Sequence, residues 1–141
     1  MTPGSPAKLI TWSDEFSVGI PSIDAQHQKL FALLNDLHAA LACGRGSSVV
    51  GRTLVGLLAY TASHFAHEEK LLADTAYPSF HDHKAEHVRL LAAVKQLQSD
   101  RLAGQAAISL DVMHFLKGWL RGHILGVDKR YAPYLQAAGV K

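Results

Sequence analysis

Apolar residues recur every three or four positions in four stretches of the chain, a pattern typical of helices that bury one face. The stretches cover about residues 22–43, 48–74, 79–101 and 109–126. In the first stretch, Ser22 is the predicted N-cap and Gly44 the stop signal. Helices of roughly 20 residues, about 30 Å long, joined by short connections favour antiparallel neighbours. The pattern predicts an all-α protein, an antiparallel up-down-up-down four-helix bundle.

The remaining segments complete the predicted domain. Residues 1–21 contain three prolines and two glycines, which disfavour a helix. They also carry four large apolar side chains: Trp12, Phe16, Val18 and Ile20. We therefore expect an extended N-terminal arm that packs on the bundle, and a short C-terminal helix near residues 129–138. Together these elements predict one domain over residues 1–141, with the bundle spanning residues 22–138.

Polar residues interrupt the apolar stripe of each predicted helix. Six of them fall on inward faces: His27, His64, Glu68, His83, His87 and His123. Within each of the two middle helices, the two polar residues lie four positions apart and so share a face. A carboxylate or imidazole inside a bundle costs free energy unless it is paired or binds a metal. Because early positions of one helix lie level with late positions of an antiparallel neighbour, all six can converge, which predicts a buried metal cluster.

Asp128 is a further candidate ligand in a difficult position. It follows His123 by five residues, which places it about 140° further round an ideal helix. It can reach the same site only if the helix ends or widens there, and Gly126 lowers the cost of such a departure. Five imidazoles and two carboxylates favour two iron ions over Mg²⁺ or Ca²⁺, which prefer oxygen ligands. The sequence contains no Glu-x-x-His motif, which argues against the carboxylate-rich ferritin-like sites.

Composition narrows the class of protein. Nine histidines among 141 residues are many for a chain of this length, and histidine is the commonest metal ligand in proteins. The single cysteine, Cys43, excludes an intramolecular disulfide, a multi-thiolate zinc site and a four-cysteine iron–sulfur cluster. A formal charge of +2 gives no indication of nucleic-acid binding. With no signal-peptide pattern and no membrane-spanning apolar run, a cytoplasmic location is expected.

Four groups of residues carry a resemblance to a known family: Ile23-Asp24-Ala25-Gln26-His27, His64-Phe65-x-x-Glu68-Glu69, His83-x-x-x-His87, and Trp119-Leu120-x-x-His123-Ile124-x-x-x-Asp128. With these motifs in this order, the chain resembles the hemerythrin family in its single-domain bacterial form, the bacteriohemerythrins. The resemblance covers residues 12–134. A single His-x-x-x-Glu pair is a weak signal, whereas seven candidate ligands in the family's order are a strong one.

The resemblance implies a centre of two non-haem iron ions joined by an oxo or hydroxo group. One iron would be held by His83, His87 and His123. The other would be held by His27 and His64 and would keep an open position for dioxygen, while Glu68 and Asp128 bridge the two. The implied function is reversible oxygen binding, for transport, storage or local supply to an oxygen-consuming enzyme that is not identified.

An apolar pocket beside the open position would keep water and protons away from the bound oxygen. The residues expected to line this oxygen pocket flank the candidate ligands: Leu30, Phe65, Trp119, Leu120 and Ile124. None of them supplies a proton donor or a nucleophile, so we expect an oxygen-binding protein that is not an enzyme. Two alternatives stay open: an oxygen- or redox-sensing module, which the lack of an output domain disfavours, and a di-iron enzyme that handles peroxide or nitric oxide.

Two further features of the sequence carry expectations about packing. Glu69 is rotated by about 100° from Glu68, so it is expected to be exposed or to support the site from outside. Gly118, Gly122 and Gly126 lie four residues apart in the last helix. We interpret them as small residues that permit a close approach of a neighbouring helix.

Overall fold

The computed structural model describes residues 8–43, 47–102 and 110–141. The helices are α1 (Pro21–Ala42), α2 (Ser47–Asp74), α3 (Phe80–Leu102), α4 (Leu110–His123) and α5 (Lys129–Ala137), with a π-helical turn over Ile124–Asp128 between the last two. The predicted all-α four-helix bundle is confirmed, and the short C-terminal helix is present. The first part of the arm, the stop signal at Gly44 and the predicted start of the fourth helix at residue 109 lie outside the described residues.

Helix α1 begins one residue earlier than predicted, and Ser22 is not its N-cap. Pro21 occupies the first turn of the helix and Ile20 precedes it in extended conformation. Proline suits this position because its fixed φ is already helical and its missing N–H would have no partner there. The carboxylate of Asp24, in the same turn, accepts hydrogen bonds from the backbone of Val18 at 2.8 Å and the hydroxyl of Ser17 at 2.5 Å.

The arm packs on the bundle over its described length, although it is not extended throughout. A 3₁₀ turn at Asp14–Phe16 interrupts it, and Phe16 stacks edge-on against Phe31 of α1 at a ring distance of 4.9 Å. The backbone N–H of Ile10 donates to the side chain of Asn35 at 3.0 Å, and the Asn35 amide returns a hydrogen bond to Ile10 at 2.8 Å. These contacts attach the arm along the outside of α1.

The connection between α2 and α3 is a tight turn, at the break that the Tyr77-Pro78 pair predicted. Ala76 has a positive φ of 54°, and the N–H of Tyr77 donates to the carbonyl of Leu72 at 2.9 Å. This six-to-one hydrogen bond with a left-handed residue is a Schellman ending, which satisfies carbonyls that the helix leaves unpaired. The turn reverses the chain and brings α3 back along α2.

The helical segment between α4 and α5 is widened, as the spacing of Asp128 from His123 required. The N–H of Lys129 donates to the carbonyl of Ile124, five residues earlier, so the turn between α4 and α5 is wider than an α-helical one. In such a turn, residues five apart lie nearly above one another. The condition set for Asp128, that the helix must end or widen after His123, is therefore confirmed.

The interpretation of the three glycines in the last helix is wrong. Among the described residues outside the helix's own backbone, no atom lies within 4 Å of a Cβ placed at Gly118, Gly122 or Gly126. All three positions are exposed to solvent. Within the described part of the chain, no helix packs closely against these glycines.

The buried apolar residues form two clusters. The first, here called the main core, fills the bundle: Leu9, Ile10, Phe16, Leu30, Phe31, Leu34, Leu37, Ala40, Val50, Leu54, Leu57, Phe65, Leu90, Val94, Met113, Leu116 and Ile124. The second, here called the end core, closes one end of it: Val18, Ile20, Ile23, Leu72, Tyr131, Ala132 and Leu135. Within the described ranges, no helix is both long and apolar enough to cross a bilayer. Among the residues whose burial is described, eight polar or charged ones are buried, and seven of these lie between the two cores.

Candidate metal centre

The structure brings all seven predicted ligand side chains together. His27 comes from α1, His64 and Glu68 from α2, His83 and His87 from α3, His123 from the end of α4, and Asp128 from the π-helical turn. Each is at most 5% exposed. Two overlapping groups have potential ligand atoms within 4.8 Å of one another: Glu68, His83, His87, His123 and Asp128, and then His27, His64 and Glu68.

Glu68 presents its two oxygens to different sets of histidines. Oε1 lies 2.5 Å from Nε2 of His83 and 3.3 Å from Nε2 of His87. Oε2 lies 3.2 Å from Nε2 of His64 and 3.6 Å from Nε2 of His27. One oxygen therefore faces the histidines of α3, and the other faces those of α1 and α2.

Asp128 divides its oxygens in the same way. Oδ1 lies 3.2 Å from Nε2 of His83 and 3.0 Å from Nε2 of His123. Oδ2 lies 3.2 Å from Nε2 of His27. The two carboxylates thus span a three-histidine side (His83, His87 and His123) and a two-histidine side (His27 and His64).

The buried histidines and carboxylates of the site shift one another's pKa values. Burial alone would lower the pKa of His27 and His83, but the facing carboxylates of Glu68 and Asp128 outweigh it and raise the pKa of each to about 9. Burial likewise opposes ionisation of Glu68 and Asp128, yet the facing histidines hold the pKa of both carboxyls well below its usual range. For His64 burial prevails, and its pKa is lowered.

The protein atoms alone leave this polar cluster poorly satisfied. Neither ring nitrogen of His27 and neither carboxylate oxygen of Asp128 has a hydrogen-bond partner, although all four atoms are buried. Nε2 of His87 and Nε2 of His123 lie only 3.2 Å apart. Buried polar groups in this condition cost free energy, whereas cations placed among them would satisfy nitrogens and oxygens together. The donor set therefore fits a metal centre.

The outer nitrogens of three histidines are fixed from behind. Nδ1 of His64 lies 2.7 Å from the side-chain oxygen of Gln26, and Nδ1 of His87 lies 3.0 Å from Glu69. Nδ1 of His123 lies 3.0 Å from Glu86. Such outer contacts leave Nε2 as the inward-facing donor, which is the usual arrangement at metal-ligating histidines. The supporting role expected for Glu69 agrees with this geometry.

Tyr131 supports the site from the end core. Its hydroxyl donates to Oε2 of Glu68 at 3.0 Å, and its ring is fully buried. Burial is the main cause that raises the pKa of this phenol well above its ordinary value, so it stays protonated and donates. Tyr131 therefore holds one oxygen of Glu68 on the two-histidine side.

The sequence reasoning missed Gln26, Glu86 and Tyr131. Two signals could have found them. Gln26 and Glu86 each precede a candidate ligand directly, and Tyr131 follows Asp128 by three residues. A side chain adjacent to a ligand cannot share its face of the helix, but it can reach across to the back of a ligand on the neighbouring helix.

An apolar cavity of about 40 Å³ lies next to the candidate metal centre, lined by main-core residues and by the half-buried Trp119 and Leu120. Four of the five predicted oxygen-pocket residues line it: Leu30, Phe65, Trp119 and Leu120. Ile124 does not; it is fully buried in the main core beside His123. The ring of Phe65 stacks on His87 at 3.7 Å, and the ring of Trp119 stacks on His123 at 4.5 Å. These two aromatic side chains separate the histidines from the cavity's interior.

The cavity extends further along the bundle than the sequence indicated. Its wall also includes Leu34, Leu57, Thr61, Leu90, Val94 and Leu116. Thr61 supplies the one hydroxyl among these lining side chains, and that hydroxyl donates to the carbonyl of Leu57 at 2.7 Å. The surface that faces the cavity is therefore apolar in character.

Residues 18–135 match the family model of the hemerythrin HHE cation-binding domain. The chain is 38% identical to a bacteriohemerythrin of Methylococcus capsulatus over 130 residues, 92% of this chain and 98% of that protein. It is 31% identical to a myohemerythrin of Riftia pachyptila over 120 residues, 85% of this chain and 88% of that one. The crystal structure of a wild-type hemerythrin superposes with a TM-score of 0.85 at 37% identity, covering 90% of this chain and 98% of that chain.

Fold, site and sequence point to the same class of protein. The chain folds into a four-helix bundle around a buried His/Glu/Asp cluster, and the hemerythrin family model matches most of its sequence. This protein belongs to the hemerythrin family.

Proposed function

We propose that this chain binds dioxygen reversibly at a centre of two non-haem iron ions. His83, His87 and His123 would hold one ion, His27 and His64 would hold the other, and Glu68 and Asp128 would bridge them. The observation that carries the proposal is the division of each carboxylate, with one oxygen toward the three-histidine side and one toward the two-histidine side. The relatives named bacteriohemerythrin and myohemerythrin support it.

When bound, the iron pair supplies electrons and an open coordination position for dioxygen. That position would lie on the two-histidine side, which offers one imidazole fewer. The protein's contribution is to fix the seven donors and to exclude water. Tyr131 keeps a hydrogen bond on the oxygen of Glu68 that faces this side, at 3.0 Å.

The apolar cavity supports binding without chemical turnover. Leu30, Phe65, Trp119 and Leu120, which line it, offer no group that could deliver a proton, and the hydroxyl of Thr61 is engaged by the backbone. Protons and water promote irreversible loss of reduced oxygen from such a site, so a dry wall favours release of intact dioxygen. We infer an oxygen-binding role in preference to an enzymatic one, with Ile124 helping to close the site beside His123.

The proposal is tested by watching the colour of the iron-loaded protein. Protein reduced without oxygen should be nearly colourless, should gain a charge-transfer band when air is admitted, and should lose it again under vacuum over several cycles. Rapid irreversible oxidation, or turnover of peroxide or nitric oxide, would contradict reversible binding and would favour an enzyme.

A substitution at the bridge tests the assignment of the ligands. Glu68→Gln keeps the shape of the side chain but removes the charge, so iron content should fall clearly below two ions per chain. Glu15→Gln is the matched control, because Glu15 is exposed, is not a candidate ligand, and forms only a surface ion pair with Arg121 at 3.4 Å. Full iron loading of the Glu68 variant would show that this residue is not a bridge.

Delivery of the bound oxygen to a consuming enzyme stays a prediction. A pull-down with the iron-loaded chain, repeated with the Glu68→Gln variant, would test whether any partner depends on the loaded state. A partner bound equally by both forms would argue against delivery that responds to loading.

A further inference from the structure

The two sides of the candidate centre differ in the charge that lies behind their histidines. On the three-histidine side, Nδ1 of His87 faces the carboxylate of Glu69 and Nδ1 of His123 faces the carboxylate of Glu86, each at 3.0 Å. On the two-histidine side, Nδ1 of His64 faces the neutral amide oxygen of Gln26 at 2.7 Å. Nδ1 of His27 is buried without a hydrogen-bond partner.

A carboxylate behind an imidazole makes the inward nitrogen a stronger donor. The Nδ1–H bond is polarised toward the negative oxygen, electron density rises at Nε2, and the positive charge of a bound metal is better balanced. A neutral amide orients the ring equally well but adds no charge. The three-histidine side therefore has an additional donor and two supporting negative charges, whereas the two-histidine side has neither.

We propose that this asymmetry makes Glu69 and Glu86 positioning residues that order the loading of the two metal ions. The three-histidine side takes the first ion tightly, and the two-histidine side takes the second ion weakly. This inference rests on the proposed function, since it requires that two metal ions bind at all. It adds to that function the order in which the two ions bind, and it assigns the later, more weakly bound ion to the side with the open position.

The partial exposure of Glu69 and Glu86 is consistent with a role in supporting the histidines from outside. The side chain of Glu69 is 20% exposed and that of Glu86 is 35% exposed, so their charges are partly shielded by water, yet they still contact deeply buried rings. Loss of an outer carboxylate of this kind typically lowers metal affinity by about 10- to 100-fold. Substitution by glutamine keeps the size and the acceptor oxygen, so the fold should be retained.

The experiment is an oxygen-free titration of the metal-free chain with Fe²⁺, with binding followed by calorimetry. The wild-type chain should bind two ions in two separate steps. Glu69→Gln and Glu86→Gln should each weaken the tighter step by about 10-fold or more and leave the weaker step in place. Gln26→Glu should do the opposite, strengthening the weaker step and narrowing the gap.

The outcomes separate the inference from the proposed function. Binding of fewer than two ions by the wild-type chain would refute the two-iron centre itself. Two ions bound with indistinguishable affinities, or a loss shared equally by both steps in the glutamine variants, would refute ordered loading while leaving the centre intact. Circular dichroism of each metal-free variant checks that its helices are retained.

A second readout reports which side each ion occupies, in samples frozen before the two ions can exchange. One equivalent of ⁵⁷Fe²⁺ followed by one equivalent of natural iron should give a Mössbauer spectrum dominated by a single quadrupole doublet. The reverse order of addition should give the other doublet. Two doublets of equal area in both experiments would overturn the proposed order.

Discussion

The main core and the end core lie on opposite sides of the polar layer formed by the seven candidate ligands, and they are filled differently. Along each of three helical segments, a candidate ligand lies between an end-core residue and a main-core residue. In the order end core, ligand, main core, these are Ile23, His27 and Leu30 on α1; Leu72, Glu68 and Phe65 on α2; and Tyr131, Asp128 and Ile124 across α5 and the π-helical turn. The main core contains a cavity, whereas Ile20, Ile23, Leu72, Tyr131 and Leu135 of the end core are all 0% exposed. One side thus offers room for a small apolar molecule, and the other serves as a fixed wall.

The largest effect on stability should come from truncating a large side chain in the tightly packed end core. Leu72→Ala should lower the free energy of unfolding by about 4 kcal/mol, toward the upper part of the usual range, because tightly packed surroundings cannot collapse into the space. Leu116→Ala, which enlarges an existing cavity in the main core, should cost about 3 kcal/mol. Urea unfolding of both metal-loaded variants measures the difference, and an equal or reversed order would contradict the contrast between the cores.

The contribution of the polar layer to stability, and its affinity for metal, should depend on pH, whereas the contribution of the two apolar cores should not. In the metal-free chain the pKa of His27 and that of His83 lie at about 9, above their ordinary 6.5. A raised folded-state pKa contributes stability that is complete below pH 6.5 and is lost as the pH rises through 9. Both protons must also leave before a metal binds, so the apparent metal affinity should rise by up to about 100-fold per pH unit below pH 9.

Calorimetric titration at pH 7 and pH 8 checks this dependence, with a pH indicator to count released protons. Loading at pH 7 should release protons from the two raised histidines. Metal binding without proton release would show that these two imidazoles are already neutral in the metal-free chain.

A smaller effect is expected where the arm meets α5 over the end core. Gly19 has a φ of 73°, and a Cβ at this residue would lie 2.1 Å from Nε2 of Gln136. That amide donates to the carbonyl of Val18 at 3.3 Å. Gly19→Ala should therefore cost about 1–2 kcal/mol, from left-handed strain and a displaced hydrogen bond. Thermal unfolding measures it, and an unchanged midpoint would mean that the arm shifts freely.

The smallest effect should be a gain in stability. Gly118→Ala and Gly122→Ala lie in regular helix, meet open space and should each stabilise the chain by roughly 0.5–1 kcal/mol, because alanine loses less backbone entropy. Urea midpoints measure the gain. Destabilisation of either variant would contradict the open space at this face of α4.

The sequence predicted most of the fold because its apolar periodicity is regular and its turns are marked. The convergence of six inward polar residues followed from helix direction and spacing alone. Asp128 shows where that reasoning stops: its spacing from His123 required a widened helix, but no residue pattern specifies an i→i+5 hydrogen bond. The need for such a turn came from the chemistry of the site.

The sequence predictions that the structure contradicts, and the supporting residues that they missed, have local physical explanations. Ser22 looks like an N-cap, yet Pro21 before it already fits the first helical turn and starts the helix earlier. The sequence places Gly118, Gly122 and Gly126 on one face of a helix, but periodicity cannot distinguish a face that packs on a neighbour from one that faces water. Glu86 and Gln26 were missed because each lies off the apolar stripe of its own helix and acts on a histidine of another.

The turn at Ile124–Asp128 also sets the phase of everything that follows it. If this segment closed as an ordinary α-helix with all its residues retained, each later side chain would be rotated by about 100° about the axis. Tyr131 and Leu135 would then leave the end core, and the carboxylate of Asp128 would leave the metal centre. One extra residue in one turn thus keeps the chemistry of the centre and the closure of the bundle in register.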